Sequence, residues 1–275
     1  MKIDMLFITY NRLPYVRISL PSLLAASRDD FALTIWDNGS TDGTREYLSS
    51  VRDPRIIRTV LSRENVKLHG AVNDVVSKSK ADLFGIVFDD FILTPGWTTI
   101  LAKAHADVPE FGLIECWYFG PDEFDYQRCK QKIQTFGAHQ VLRHPWNGVG
   151  AGLVKVKTMR EVGPLESSRT TNYWVRMAQK GYVNGWYYPL VYAEHFDYPW
   201  SKHFPYADRF DEWLAKCSTA QHQGIRSFED AKAWHQIVMS NILDDPWDVK
   251  YYVGWRGKLR RGEDKLRRVL TGSRF

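Results

Sequence analysis

The chain has 275 residues, 44% of them hydrophobic, which is enough for one large α/β domain with extensions or for two small domains around a packed core. There is no basic leader ahead of a long apolar stretch, and no apolar run approaches the ~18 residues of a membrane span, so the sequence argues against secretion and bilayer crossing. The net charge of +5 is uneven: residues 256 to 275 carry eight Lys or Arg against two acids, a local +6 that leaves −1 for the rest.

Short, nearly continuous apolar runs at 3–8, 31–36, 56–61 and 83–88 have the pattern of strands buried on both faces. Helical patterns at about 14–27, 42–51, 70–79 and 97–106 lie between or after them. This alternation predicts a doubly wound, mostly parallel α/β sheet, with ligands at the carboxyl ends of its strands. Beyond Leu113 the alternation fails. Residues 119–147 are mixed and turn-rich, strand-like material returns near 149–156 and 186–193, and 206–270 reads as helical. The division expected is a sheet domain over 1–205 and a helical C-terminal extension with a basic tail over 206–275. Cys116, Cys129 and Cys217 are odd in number and lack metal-ligand spacing, which suits a reducing, cytoplasmic compartment.

Polar residues collect where the predicted strands end. The first strand runs into Thr9-Tyr10-Asn11-Arg12, whose side chains suit either a base and ribose or the capping of the next helix. The second ends at Asp37, which opens Asp-Asn-Gly-Ser-Thr-Asp-Gly-Thr. A carboxylate there can accept the imide N–H of uracil or thymine, or the N1–H and amino group of guanine; it can equally close an Asx-turn, and both can hold together. Asn65, Gly70 and Asn73 surround a loop-to-helix junction that exposes backbone N–H groups to a phosphate or sugar, or that serves the junction alone. The fourth strand ends in Asp89-Asp90. Two acids there are costly unless they meet a cation or an open site edge, and hard ions such as Mg²⁺ or Mn²⁺ take carboxylate oxygens and bridge to a diphosphate. Capping of a helix by Asp90 is the plainer alternative.

In order and rough spacing these pieces resemble glycosyltransferase family 2, inverting enzymes with the GT-A fold, over Met1 to about His195. Phe7 to Arg12 is similar to the family's opening strand and nucleotide loop, and Asp37 to Thr44 to its most recognisable signature. Glu64-Asn65 with Gly70 and Asn73 resembles a donor-site motif of rhamnosyltransferase-like members. Gly150 to Val154, then Arg160 to Gly163, looks like an acceptor-side strand turning into a helix.

The resemblance implies a nucleotide-diphospho-sugar donor, UDP- or dTDP-linked by preference, whose sugar passes with inversion to a glycan or lipid-linked acceptor. Thr9, Tyr10, Asn11, Arg12, Asp37, Asn38, Asn65, Gly70, Asn73 and Asp89 would line the donor, with Asp37 reading its base. Asp90 would be the last acid of the metal-binding Asp-x-Asp motif, and His195 would complete the shell of Mn²⁺ or Mg²⁺; a lone histidine is also often structural.

Two departures from the family stand out. Alignment on Thr94-Pro95-Gly96-Trp97 puts Phe88 where the motif's first acid belongs, so that one contact is missing or Asp89 supplies it. Where the family carries Glu-Asp before a helix ending in Arg-x-x-x-x-Gly-Tyr, this chain has Arg169-Thr170. Glu166, three residues upstream, is the substitute expected to act as general base, or it is a solvated loop acid. A binding protein that has lost its base is the non-catalytic rival. A nucleotidyltransferase is disfavoured, since Thr9 to Arg12 is not a glycine-rich basic loop.

From Trp255 onward, Leu259, Leu266, Val269 and Leu270 alternate with Arg256, Lys258, Arg260, Arg261, Lys265, Arg267 and Arg268. Such a helix can lie on an anionic membrane, at the inner face of the envelope, or grip the phosphates of DNA or RNA and bring a nucleobase acceptor. A solvated helix is the bland option.

Overall fold

The computed structural model describes residues 1–27, 31–146, 148, 150–167 and 170–271, with the backbone alone for 218 and 264–271. Over the first hundred residues the chain forms β1 (Ile3–Thr9), α1 (Leu13–Ala26), β2 (Phe31–Asp37), α2 (Thr44–Ser50), β3 (Ile56–Leu61), α3 (Lys67–Lys78), β4 (Leu83–Phe88), a short β5 (Phe91–Leu93) and α4 (Trp97–Asp107). There follow β6 (Phe111–Glu115), α5 (Tyr126–Cys129), β7 (Ile133–Phe136), β8 (His139–Arg143), β9 (Ala151–Lys155), α6 (Val156–Val162), α7 (Thr171–Gln179), β10 (Val183–Tyr188) and β11 (Ala193–His195). The C-terminal part holds α8 (Phe210–Lys216), α9 (Ser218–Gln223), α10 (Phe228–Asp244) and α11 (Gly254–Thr271).

The main sheet has nine strands in the order β3-β2-β1-β4-β9-β6-β10-β8-β7, and β5 pairs separately with β11. Following the pairings across, seven of the nine strands run one way and only β9 and β8 are reversed. Alternate side chains of each strand feed opposite faces. Met5, Phe7, Leu33 and Ile35 pack with Val16 and Leu20 of α1 and with Leu101 of α4. Leu6, Ile8, Phe84 and Ile86 pack on the other side with Val72 and Val75 of α3 and with Trp174 of α7. Helices therefore cover both faces, as the alternation of runs predicts.

Two expectations need correction. The run at 56–61 is not buried on both faces: β3 is the edge of the sheet, none of its residues is fully buried, and Ile57 is 65% exposed. Residues 119–147, unassigned from sequence, contain the β7–β8 hairpin turned at Gly137, whose φ of 60° is the left-handed value glycine tolerates. Gln134, Thr135, Gln140 and Arg143 interrupt its apolar residues, and strands of four and five residues are too short to show a period against that background.

The C-terminal helices share the core of the sheet. Trp213 of α8, Ala220 of α9 and Ala231 of α10 are buried with Tyr15 of α1 and Phe196, while Ile242 and Leu243 of α10 are buried with Trp117 and Phe119. Cys116 and Cys129 are buried free thiols and Cys217 is a half-buried one. Among the described residues no helix is long and apolar enough to cross a membrane.

Candidate active site

Register brings the functional residues together. Thr9 lies opposite Asp37, and Ile8 opposite Phe88, so β1, β2 and β4 finish level and the residues beyond them share one edge. β2 and β4 flank β1, which separates their ends by two inter-strand spacings, on the order of 10 Å.

At the end of β2, Asp37 is fully buried and its carboxylate closes a turn. Oδ2 accepts the backbone N–H groups of Gly39 and Ser40, each at 3.1 Å, and Arg45 Nη1 at 3.3 Å. Arg45 also donates to the carbonyls of Ser62, at 2.6 Å, and Leu61, at 3.2 Å, tying the loop to β3. Gly39 has φ 90°, which explains glycine after Asn38. Asn11, itself at φ 53°, donates its backbone N–H to Ser40 Oγ at 2.8 Å and accepts from the Thr41 N–H at 2.7 Å. Asp42 accepts from the N–H groups of Leu13, at 3.0 Å, and Thr44, at 3.1 Å, and so caps α1 and α2 at once. Burial opposes its ionisation, but those bonds hold its pKa below the ordinary carboxylate value. The Asx-turn reading of this segment is therefore realised. Asn38 is buried with Oδ1 unpartnered, and Tyr10 is 45% exposed at the rim.

The acids after β4 are held differently. Thr9 Oγ1 donates to Asp89 Oδ2 at 2.5 Å. The guanidinium of Arg12 meets three carboxylates: Nε lies 3.5 Å from Asp89 Oδ1, Nη1 3.1 Å from Asp90 Oδ2, and Nη2 2.8 Å from Asp197 Oδ2. It also lies over the Tyr15 ring, 3.8 Å from the centroid. The β5–β11 ladder pairs His195 with Phe91, the residue after Asp90, which puts His195 Nε2 3.4 Å from Asp90 Oδ2. Asp197 is fixed from two helices, accepting a short hydrogen bond from the Tyr15 hydroxyl and one of 2.7 Å from Trp213 Nε1.

Three acids around one guanidinium leave negative charge in excess. Burial and the neighbouring Asp90 push Asp89 up to about 7 against the pull of Arg12. Burial works against Asp90 as well, but Arg12 and His195 keep its pKa below the ordinary value. Burial alone would lower the pKa of Arg12; Asp197, Asp89 and Asp90 together raise it instead.

Asp90, His195 and Asp197 each offer one ligand atom, all within 4.8 Å of one another. Asp90 Oδ1 and His195 Nδ1 are buried with no hydrogen-bond partner. Two carboxylates and an imidazole with unsatisfied atoms fit a divalent ion such as Mn²⁺ or Mg²⁺. Asp197 joins the expected pair of Asp90 and His195 as the third member of this set, and is not among the residues expected from the sequence. It lies in the turn just after β11, two residues beyond His195, and no local pattern in the sequence marks it. Phe88, at the position of the motif's missing acid, packs into the apolar core from both faces.

Asn65, Gly70 and Asn73, also expected at the donor, make local contacts. Asn65 Oδ1 accepts the Lys67 N–H at 2.9 Å, and Lys67 sits at φ 61°. Gly70 lies within α3, not at its start, and a Cβ there would come within 2.9 Å of Val66 Cβ. Asn73 clamps the loop after α6, accepting the Leu165 N–H at 2.9 Å and donating to the Leu165 carbonyl at 2.8 Å. Next to that clamp Glu166 is exposed and pairs with Arg176 at 2.7 Å. Arg169 lies outside the described residues. So do the side chains of Lys265, Leu266, Arg267, Arg268, Val269 and Leu270 in the tail; Trp255 and Leu259 are described and exposed.

The mixed sheet, with acids gathered at the carboxyl ends of β2 and β4, has the GT-A fold. A solved mannosyltransferase from Pyrobaculum calidifontis, in complex with GDP-Man and Mn²⁺, shares that fold at TM-score 0.57 and 17% identity, over 96% of this chain and 79% of its own. Residues 5–152, more than half of the chain, match the model of glycosyl transferase family 2, and the chain belongs to that family. It is a glycosyltransferase. A comparison with curated proteins returned no match.

Proposed function

We propose that this protein transfers a sugar from a nucleoside diphosphate to a hydroxyl of a glycan or lipid-linked acceptor, with inversion and with a divalent cation at Asp90, His195 and Asp197. The observation that carries the reading is this cluster of two carboxylates and an imidazole, with its unpartnered buried atoms, on the edge shared with Asp37. When bound, the cation would supply a Lewis acid for the leaving diphosphate.

In this reading the chain's own groups divide the remaining work. Asp37 and the Asn11–Ser40 tether form the base side, where a carboxylate favours uracil, thymine or guanine over adenine and cytosine. UDP- or dTDP-sugars remain the preferred donors, and the GDP-Man of the similar mannosyltransferase adds guanine to the panel. Grouping with rhamnosyltransferase-like members rests on the sequence resemblance of Glu64-Asn65, Gly70 and Asn73 alone. Glu166, on the loop clamped by Asn73, would take the acceptor's proton and leave it nucleophilic.

The test is a thermal-shift panel of UDP-, dTDP- and GDP-sugars, dTDP-rhamnose included, with and without Mn²⁺, since a ligand raises the melting point only of the state it binds. A melting point unmoved by every donor in Mn²⁺ defeats the donor assignment.

We further assign residues 1–205 to the catalytic unit and 206–275 to an extension whose basic end meets an anionic membrane on its cytoplasmic side. Support comes from α11, with Trp255 66% and Leu259 56% exposed among Arg256, Lys258 and Arg261. Flotation with anionic vesicles, lost on truncation at Trp255, checks this; retention on DNA instead would favour a nucleic acid acceptor.

A further inference from the structure

Arg12 occupies the place where a cation would act. Its Nη1 binds Asp90 Oδ2, the same oxygen that lies 3.4 Å from His195 Nε2, and its Nη2 binds Asp197 Oδ2 at 2.8 Å. Two of the three prospective metal ligands are thus already paired with one guanidinium, which leaves negative charge over. Asp90 Oδ1 and His195 Nδ1 remain unpartnered.

We propose that Arg12 is a resident counter-ion that competes with the divalent cation for Asp90 and Asp197 and turns to the donor's diphosphate when the cation enters. The inference rests on the metal-assisted reading above and adds a role for one residue within it. The charges give the reason. Asp89 and Asp90, just after β4, and Asp197, just after β11, repel one another, and Arg12 holds them together. A divalent ion on the same oxygens takes over that task and repels the guanidinium.

A diphosphate then offers what the acids no longer do, since its oxygens match the planar fork of an arginine as well as a carboxylate does. The position of Arg12 permits the turn. It precedes α1 on non-helical backbone, with φ −134° and ψ 41°, and its side chain is 28% exposed. Cation and diphosphate would then bind cooperatively, each removing an obstacle to the other.

Mn²⁺ binding to the full chain, measured by calorimetry with and without UDP, dTDP or GDP, tests the exchange in the wild type and in Arg12→Met. The wild type is expected to bind Mn²⁺ weakly alone and about tenfold or more tightly with the matching diphosphate. Arg12→Met is expected to bind Mn²⁺ alone about tenfold more tightly than the wild type, with a smaller gain from the diphosphate. Equal or weaker Mn²⁺ binding by a folded Arg12→Met protein overturns the inference and leaves the metal-assisted reading intact. Should that variant not fold, Arg12→Lys replaces it. One ammonium cannot span three carboxylates, so tighter Mn²⁺ binding than in the wild type supports the exchange, and equal or weaker binding overturns it. If neither wild type nor variants bind Mn²⁺ even with a diphosphate, the metal-assisted reading fails and takes this inference with it.

Discussion

Asp37 closes β2 and Asp90 follows β4, on either side of β1, and both are buried, but they keep different company. The Asp37 carboxylate is matched by two N–H groups and a guanidinium that is itself bonded to two carbonyls at the end of β3. Around Asp90, three acids share one arginine, and a carboxylate oxygen and an imidazole nitrogen are left over. The first carboxylate is fully matched by its own surroundings, although Asn38 Oδ1 beside it is not. The second loop is stable enough to fold and electrically unfinished, the condition in which a site gains most from a ligand.

The largest expected effect separates the two acids proposed for chemistry. Asp90→Asn should lower the rate of sugar transfer in Mn²⁺ by roughly a thousandfold or more, a change typical of losing a group that stabilises developing charge. Glu166→Gln should lower it by roughly a hundredfold or more as the general base is lost, with donor binding unchanged in the thermal-shift assay. Full turnover by Glu166→Gln would move the base to another acid, such as Glu115, Asp122 or Glu194.

Next in size comes stability without ligand. Asp37→Ala strands two N–H groups and Arg45, and should cost roughly 3 kcal/mol in urea unfolding. Asp90→Asn removes one of three mutually repelling charges while Arg12 keeps two partners, and should change stability by no more than about 1 kcal/mol. Equal losses in the two variants would erase the distinction between the loops.

A control on pH stands apart, since its size grows with the acidity used. His105, in α4, is buried with Nε2 2.9 Å from the Leu153 carbonyl, and burial, helped by Lys155, lowers its pKa to about 3. Unfolding frees it to take a proton below about 6.5, so it stabilises the fold fully above that value and progressively less as pH falls toward 3. Its contribution to the slope is about 1.4 kcal/mol per pH unit in that window. His105→Gln should flatten the acid limb of the melting curve by that amount; an unchanged limb would assign the acid sensitivity to the carboxylates after β4.

The first four strands and the acids at their ends were legible because buried parallel strands write themselves as apolar runs and ligands gather where such runs stop. What could not be read was side-chain pairing across long separations. Arg12 looked like a ligand of the nucleotide loop, and nothing local in the sequence couples it to Asp197, 185 positions later. Asn73 looked like a donor contact, and its grip on Leu165, 92 positions away, was invisible in the sequence. The β7–β8 hairpin was lost because its strands are short and half polar.

Trp213 belongs to α8, beyond residue 205, yet its indole nitrogen is one of the two groups that steady Asp197 from helices on either side. The extension is therefore no detachable appendage to a self-sufficient catalyst. Any chimaera that exchanges the last seventy residues to redirect this enzyme toward a new acceptor will also loosen Asp197, one of the three groups proposed to hold the cation, and selection for one property will drag the other with it.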